Sequence, residues 1–217
     1  MCIRDRVCAG AMEFRDAVDL VRYRGQLMQQ AVPPGEGAMA AILGLDDEQV
    51  AEACAGAAGD EVVSPVNFNS PGQVVIAGNA AAVARAIDLA KGLGARRALA
   101  LPVSVPSHCS LMREAADKLS ERLAEIEIRE PAIPVIHNVD ASRHPEPDDI
   151  RRALTQQLHQ PVRWTECVLA MQSEGVEQLV EAGPGKVLAG LTRRIDRSLG
   201  ALPVFDPDSL ANALAAV

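Results

Sequence analysis

Leu99-Ala100-Leu101-Pro102-Val103-Ser104-Val105-Pro106-Ser107-His108-Cys109-Ser110-Leu111-Met112 joins two kinds of sequence. An apolar run of strand type stops at Pro102, and a tight Val-Ser-Val-Pro-Ser segment then delivers His108. The spacing predicts an amphipathic helix over 109–126, with Met112, Ala115, Leu119, Leu123 and Ile126 on one face. A histidine held between a strand and a helix can be fixed in one orientation, as a general base requires. The same position also suits a structural histidine, so the flanking sequence has to decide.

Upstream, the chain reads as alternating strands and helices. A strand is expected over 38–43. Asp46 then caps a helix, with Gln49 at the capping-box position and Val50, Ala53, Cys54 and Ala57 inward. Strands over 62–67 and 73–77 flank the turn Ser70-Pro71-Gly72. Asn79 caps a second helix with Val83, Ile87 and Ala90 inward, closed by Gly92 and Gly94, and a strand over 98–101 follows. The order β-α-β-β-α-β is the split βαβ, or ferredoxin-like, arrangement. It predicts a small subdomain over 35–102, inserted into a larger unit made of 1–34 and 103–217.

Before the insert lies a helix expected over 11–31, ended by Val32-Pro33-Pro34-Gly35. At about 100° per residue its apolar residues form one arc, which includes Phe14, Val18, Leu20, Val21, Leu27 and Met28. Arg24 projects from the middle of that arc. A buried guanidinium needs a partner. It is either a structural salt bridge or an arginine aimed into a site, where its planar fork would take an incoming carboxylate. Ahead of the helix, Val7-Cys8-Ala9-Gly10 reads as a helix end with a glycine stop. Met1 to Arg6 reads as a translated adapter scar on a truncated gene.

Downstream, a short strand is expected over 135–137, and a helix runs from Asp148 or Asp149 through Leu158 before Pro161 forbids its continuation. Gln157 lies on the Ile150–Leu154 face, so this end points inward. Its spare carbonyl either takes water or accepts a histidine Nδ1–H and fixes its tautomer. A helix over 164–172, a strand over 176–180, the turn Gly183-Pro184-Gly185 and a helix over 186–199 complete the pattern. The turn lacks both phosphate-loop spacings and reads as close strand–helix packing. The Ala-rich tail from Ala201 carries no expectation.

With 48% hydrophobic residues the chain can bury a core, and with 2% aromatics its helices are expected to pack through small residues. A net charge of −8 without a basic run excludes nucleic acid as the expected ligand. Cys2, Cys8, Cys54, Cys109 and Cys167 lack metal-ligand spacing and read as reduced cytosolic thiols. No apolar run reaches membrane-spanning length, and no signal-peptide pattern is visible.

Several stretches together resemble the malonyl-CoA:acyl-carrier-protein transacylases of fatty-acid synthesis, relatives of polyketide acyltransferase domains. They are Val21-Arg22-Tyr23-Arg24-Gly25, Gly37-Ala38-Met39-Ala40-Ala41, Asn67-Phe68-Asn69-Ser70-Pro71-Gly72-Gln73, Pro102 to His108, Pro161-Val162-Arg163-Trp164 and Glu181-Ala182-Gly183-Pro184-Gly185-Lys186. The resemblance implies an α/β fold: an α/β-hydrolase-like acyltransferase core, incomplete at the N-terminus, around the ferredoxin-like insert. It implies that His108 is the catalytic base, that the Gln157 carbonyl orients it, and that Arg24 binds the substrate carboxylate. Met28, Asn69 and Ser107 match further substrate-binding positions. The family's serine nucleophile sits in a Gly-His-Ser-x-Gly elbow, and these 217 residues contain no Gly-x-Ser-x-Gly. Neither Ser107, Ser110 nor Cys109 is a plausible substitute, so the nucleophile is expected ahead of Met1. The implied reaction passes a malonyl group from malonyl-CoA through a serine ester to the pantetheine thiol of acyl carrier protein. It needs no metal or redox cofactor, and is expected of a cytoplasmic monomer. The alternative is a non-catalytic module that docks acyl carrier protein.

Overall fold

The computed structural model describes residues 2–103 and 105–216. Its first part is helical. Helix α1 (Cys2–Cys8) ends in a Schellman motif: Gly10 has φ +75°, its N–H donates to Val7 O, and Ala11 N–H donates to Arg6 O. The expected glycine stop is therefore present, with a helix in front of it. Met1, part of the expected scar, lies outside the described residues. Helix α2 (Phe14–Ala31) starts later than expected, because Ala11 and Met12 are buried in the connection before it.

The insert has the predicted topology. Strands β1 (Gly37–Leu43), β2 (Val63–Ser70), β3 (Gln73–Asn79) and β4 (Arg97–Ala100) form one antiparallel sheet in the order β2-β3-β1-β4. Helices α3 (Asp47–Ala58) and α4 (Ala80–Gly92) cover one face. Alternation along the strands divides the side chains. Ala40, Ile42, Val74 and Ile76 meet the helices, while Met39, Val66, Val75 and Ala77 line the opposite face with Cys109. Asp46 and Gln49 make the full capping box. Asn79 departs from expectation: its side chain does not cap α4, because its Oδ1 accepts the Val62 N–H at 2.8 Å. That bond and Asn79 N–H to Val62 O bind the strand ends reciprocally. Gly78 permits this close approach, since a Cβ there would sit 1.9 Å from Val62 O.

A second core joins α2 to α5 (Arg113–Ala124) and α6 (Pro147–Gln156) through Leu20, Leu27, Met112, Leu119, Leu123, Ile150, Leu154 and Leu158. The helix expected over 109–126 divides into a 3₁₀ turn at Ser110–Met112 and α5. Two-residue strands β5 (Ile136–His137) and β6 (Ser142–Arg143) precede α6, and α7 (Trp164–Ser173) follows it. The chain then forms β7 (Gln178–Ala182), α8 (Val187–Ile195), β8 (Gly200–Val204) and α9 (Pro207–Ala216), with β7 and β8 parallel. The helix expected over 186–199 therefore stops four residues early, and the tail holds a strand and a helix. Among the described residues no helix is long and apolar enough to cross a membrane.

Candidate active site

His108 is held from two sides. Ahead of it, the chain leaves β4 with Leu101 N–H on Met39 O, and Ser107 N–H closes a tight turn on Val105 O. Behind it, Cys109 is buried against the sheet face opposite α3 and α4, and its thiol donates to Pro106 O at 3.1 Å. This sharp path puts His108 at φ +67°, the left-handed region. For a residue with a Cβ that costs roughly 1–2 kcal/mol. The cost is offset locally by the His108 N–H bond to Leu158 O at 3.0 Å.

The ring is oriented by the neighbouring carbonyl. His108 Nδ1–H donates to Gln157 O at 2.7 Å, at the C-terminal end of α6. A proton fixed on Nδ1 leaves the Nε2 lone pair free to accept one. Burial pushes the imidazole down to about 4, against the upward pull of the Gln157 carbonyl, and the Arg24 charge adds to the depression. His108 is thus neutral at pH 7, as a base must be before reaction.

Arg24 and Gln157 line the same open groove, of about 540 Å³, with Val7, Phe14, Val18 and Val21 along its apolar wall. This corrects the reading of the α2 arc, which is wider than the core it serves. Leu20, Leu27 and Met28 face inward, whereas Phe14, Val18 and Val21 are exposed along the groove. Arg24 is partly exposed at that boundary rather than sunk in the core.

The other expected substrate-binding residues are placed apart from the groove wall. Met28 lies one turn beyond Arg24 and is buried in the core with Met112 and Leu119. Asn69 is the unpaired residue of a bulge in β2, between the pairs Phe68–Val74 and Ser70–Gln73. A bulge re-aims a side chain. Ser107 adjoins His108 and is partly buried. Cys109 makes no nucleophile, since burial raises its thiol pKa and its hydrogen bond faces Pro106. Sequence reading missed Leu158, whose carbonyl fixes the His108 backbone, and Asn138, whose Oδ1 accepts from Gln157 Nε2 at 2.6 Å. Leu158 continues the Ile150–Leu154 stripe and reads as a core residue, which says nothing of its carbonyl, and Asn138 belongs to no motif. Among the described residues no cluster of histidine, cysteine and acidic side chains could hold a metal ion.

The acyl transferase domain family matches residues 6–202. The chain belongs to the acyl transferase family. It is 58% identical over 208 residues to the malonyl CoA-acyl carrier protein transacylase of Escherichia coli (strain K12), covering 96% of this chain and 67% of that protein. The corresponding Bacillus subtilis (strain 168) protein is 46% identical over 209 residues, with 96% of this chain and 66% of that one covered. Among solved structures, an acyl carrier protein S-malonyltransferase from Vibrio cholerae superposes with a TM-score of 0.94 at 61% identity, over 95% of this chain and 68% of that one. A malonyl-transacylase solved in complex with a type II polyketide acyl-carrier protein gives a TM-score of 0.96 at 55% identity, over 97% and 68% of the two chains. The chain therefore spans about two thirds of the length of these acyl transferases.

Proposed function

We propose that this chain supplies the base and the carboxylate-binding side of a malonyl-CoA:acyl-carrier-protein transacylase. The observation that carries the reading is the hydrogen bond from His108 Nδ1 to the Gln157 carbonyl, at a groove whose wall also holds Arg24. In the complete enzyme a serine is the nucleophile. His108 Nε2 removes its proton as the oxygen attacks the malonyl thioester, and returns the proton to the departing CoA thiol. The pantetheine thiol of acyl carrier protein then attacks the serine ester, with His108 as base again. Arg24 pairs with the free malonyl carboxylate. No step calls for a metal or redox cofactor. The division into a 35–102 insert and a core of 1–34 and 103–217, a monomeric state and a cytoplasmic location belong to the same proposal.

The test joins these residues to a segment carrying Gly-His-Ser-x-Gly and measures malonyl transfer to acyl carrier protein. His108→Ala is expected to lower the rate by about 10²-fold or more. An unchanged rate would remove His108 from the mechanism. The 217 residues alone are expected to transfer nothing.

A further inference from the structure

We propose that Asn138 is a positioning residue for His108 and acts through the side chain of Gln157. The proposal rests on reading His108 as the base. Gln157 and Leu158 grip His108 with successive carbonyls, one on the ring at 2.7 Å and one on the backbone N–H at 3.0 Å. The orientation of the chain at 157–158 therefore sets both the backbone and the ring of His108. This segment lies where α6 gives way to a turn, with His159 and Gln160 N–H both bonded to Gln156 O. Gln160 N–H on Gln156 O is the last i→i−4 bond before Pro161 ends the ladder, and a side-chain contact adds to the hold on 157–158.

The Gln157 side chain supplies that contact. It is buried, and its Nε2 donates to Asn138 Oδ1 at 2.6 Å. Asn138 is itself anchored. Its carbonyl accepts Arg163 N–H at 2.7 Å, and its neighbours His137 and Val139 are buried. Val162, next to Arg163, is bonded in both directions to β2 through Val66 O and Phe68 N–H. A line of hydrogen bonds thus runs from the sheet through Val162, Arg163, Asn138 and Gln157 to the His108 ring. A buried amide donor that loses its acceptor turns to find another. Gln157 would then move, and its carbonyl would release the Nδ1 proton.

The tautomer of His108 reads this directly, in the chain as it stands. Nitrogen-15 imidazole spectra at pH 7, with His108 assigned by its loss in His108→Ala, are expected to show the Nδ1–H form. Asn138→Leu removes the acceptor, and Gln157→Met removes the donor while leaving the backbone carbonyl. Each is expected to convert the single form into a mixture with Nε2–H. Asn138→Asp keeps an acceptor oxygen and is expected to retain the Nδ1–H form. Circular dichroism melts check the fold, and if Asn138→Leu fails to fold, Gln157→Met decides. Retention of the unmixed Nδ1–H form in the folded Leu or Met variant overturns the proposal, as does an Asp variant that loses it as completely as Leu. Since the readout needs no turnover, absence of malonyl transfer would leave this result standing, and the reverse also holds.

Discussion

In the four-stranded sheet Ala40, Ile42, Val74 and Ile76 are each at most 1% exposed, whereas Val180 in β7 is 47% exposed and Val187 in the crossover helix 67%. Both regions are built from small apolar residues. The insert completes its core with its own two helices, and its sheet is antiparallel, so neighbouring strands close on one another within 37–100. The parallel β7–β8 pair meets α8 and α9 through a few buried residues, Leu191, Ala201 and Ala213 among them, and the outer face of α2 is open. Parallel strands are ordinarily covered on both faces. One stretch of chain thus buries its apolar residues with its own elements, while in another Val180 and Val187 stay open. The groove holding Arg24 lies in the second kind of region, where apolar surface is open and a ligand or another segment can enter.

Breaking the first region should have the largest effect. Gly78→Ala would press a Cβ to 1.9 Å from Val62 O, where both neighbours are backbone in a paired sheet. A loss of about 3 kcal/mol or more is expected in denaturant unfolding. A loss below about 1 kcal/mol would mean that the β2–β3 edge gives way more easily than the register implies.

Acid should separate the two regions. The four histidines all lie at 108 or beyond, so the insert has none. Burial depresses His108 to about 4 and, with the Arg6 charge adding to it, His137 to about 3. The unfolded chain takes up these protons near 6.5, before the folded chain does. Their stabilising contribution is therefore complete above about pH 6.5 and is lost as pH falls toward 4 and below. Hydrogen exchange is expected to show α2, α5 and α6 opening over that range while β1 and β3 remain protected. Equal loss in both regions would contradict the separation.

Arg6 gives a third, smaller test. Its side chain is fully buried in α1 and meets the His137 ring, placing a cation beside an imidazole. Removing one member of a buried, hydrogen-bonded contact leaves the other without its partner and is destabilising. Arg6→Leu is therefore expected to lower the thermal midpoint of the helical region and to return His137 toward its ordinary pKa. A raised midpoint would show that the buried cation costs more than its contacts return. The smallest effect is expected at Gly25, on the exposed side of α2 with nothing within 4 Å of a new Cβ. Gly25→Ala should stabilise by about 0.5–1 kcal/mol, opposite in sign to the same change at Gly78.

The insert was readable because its signals are local. Period-two apolar runs, the Asp46/Gln49 box and the Ser70-Pro71-Gly72 turn each specify their own element. Gln157 was readable for the same reason, since Pro161 ends α6 and frees its carbonyl. The parallel pairing of β7 with β8 was not, because it joins residues across a crossover and the β8 strand, Gly200–Val204, is short and contains Pro203. The apolar arc of α2 gave its direction but not its division into core and groove, which depends on what packs against it. Asn79 satisfied the cap pattern, yet a long-range donor at Val62 took its side chain. Asn138 follows a two-residue strand, and only tertiary structure brings it to Gln157.

The measurement that bears most directly on the account is the acetyl-to-malonyl turnover ratio of Arg24→Ala in the enzyme completed with its serine elbow. If Arg24 pairs with the malonyl carboxylate, the variant loses a charge-assisted contact of about 2–5 kcal/mol. Malonyl transfer should fall by about 30-fold or more. Acetyl transfer, which offers no carboxylate, should hold steady or rise. The ratio then shifts toward acetyl by at least the same factor. A constant ratio with both rates reduced and a lower melting temperature would make Arg24 a scaffold residue and contradict its assignment to the substrate.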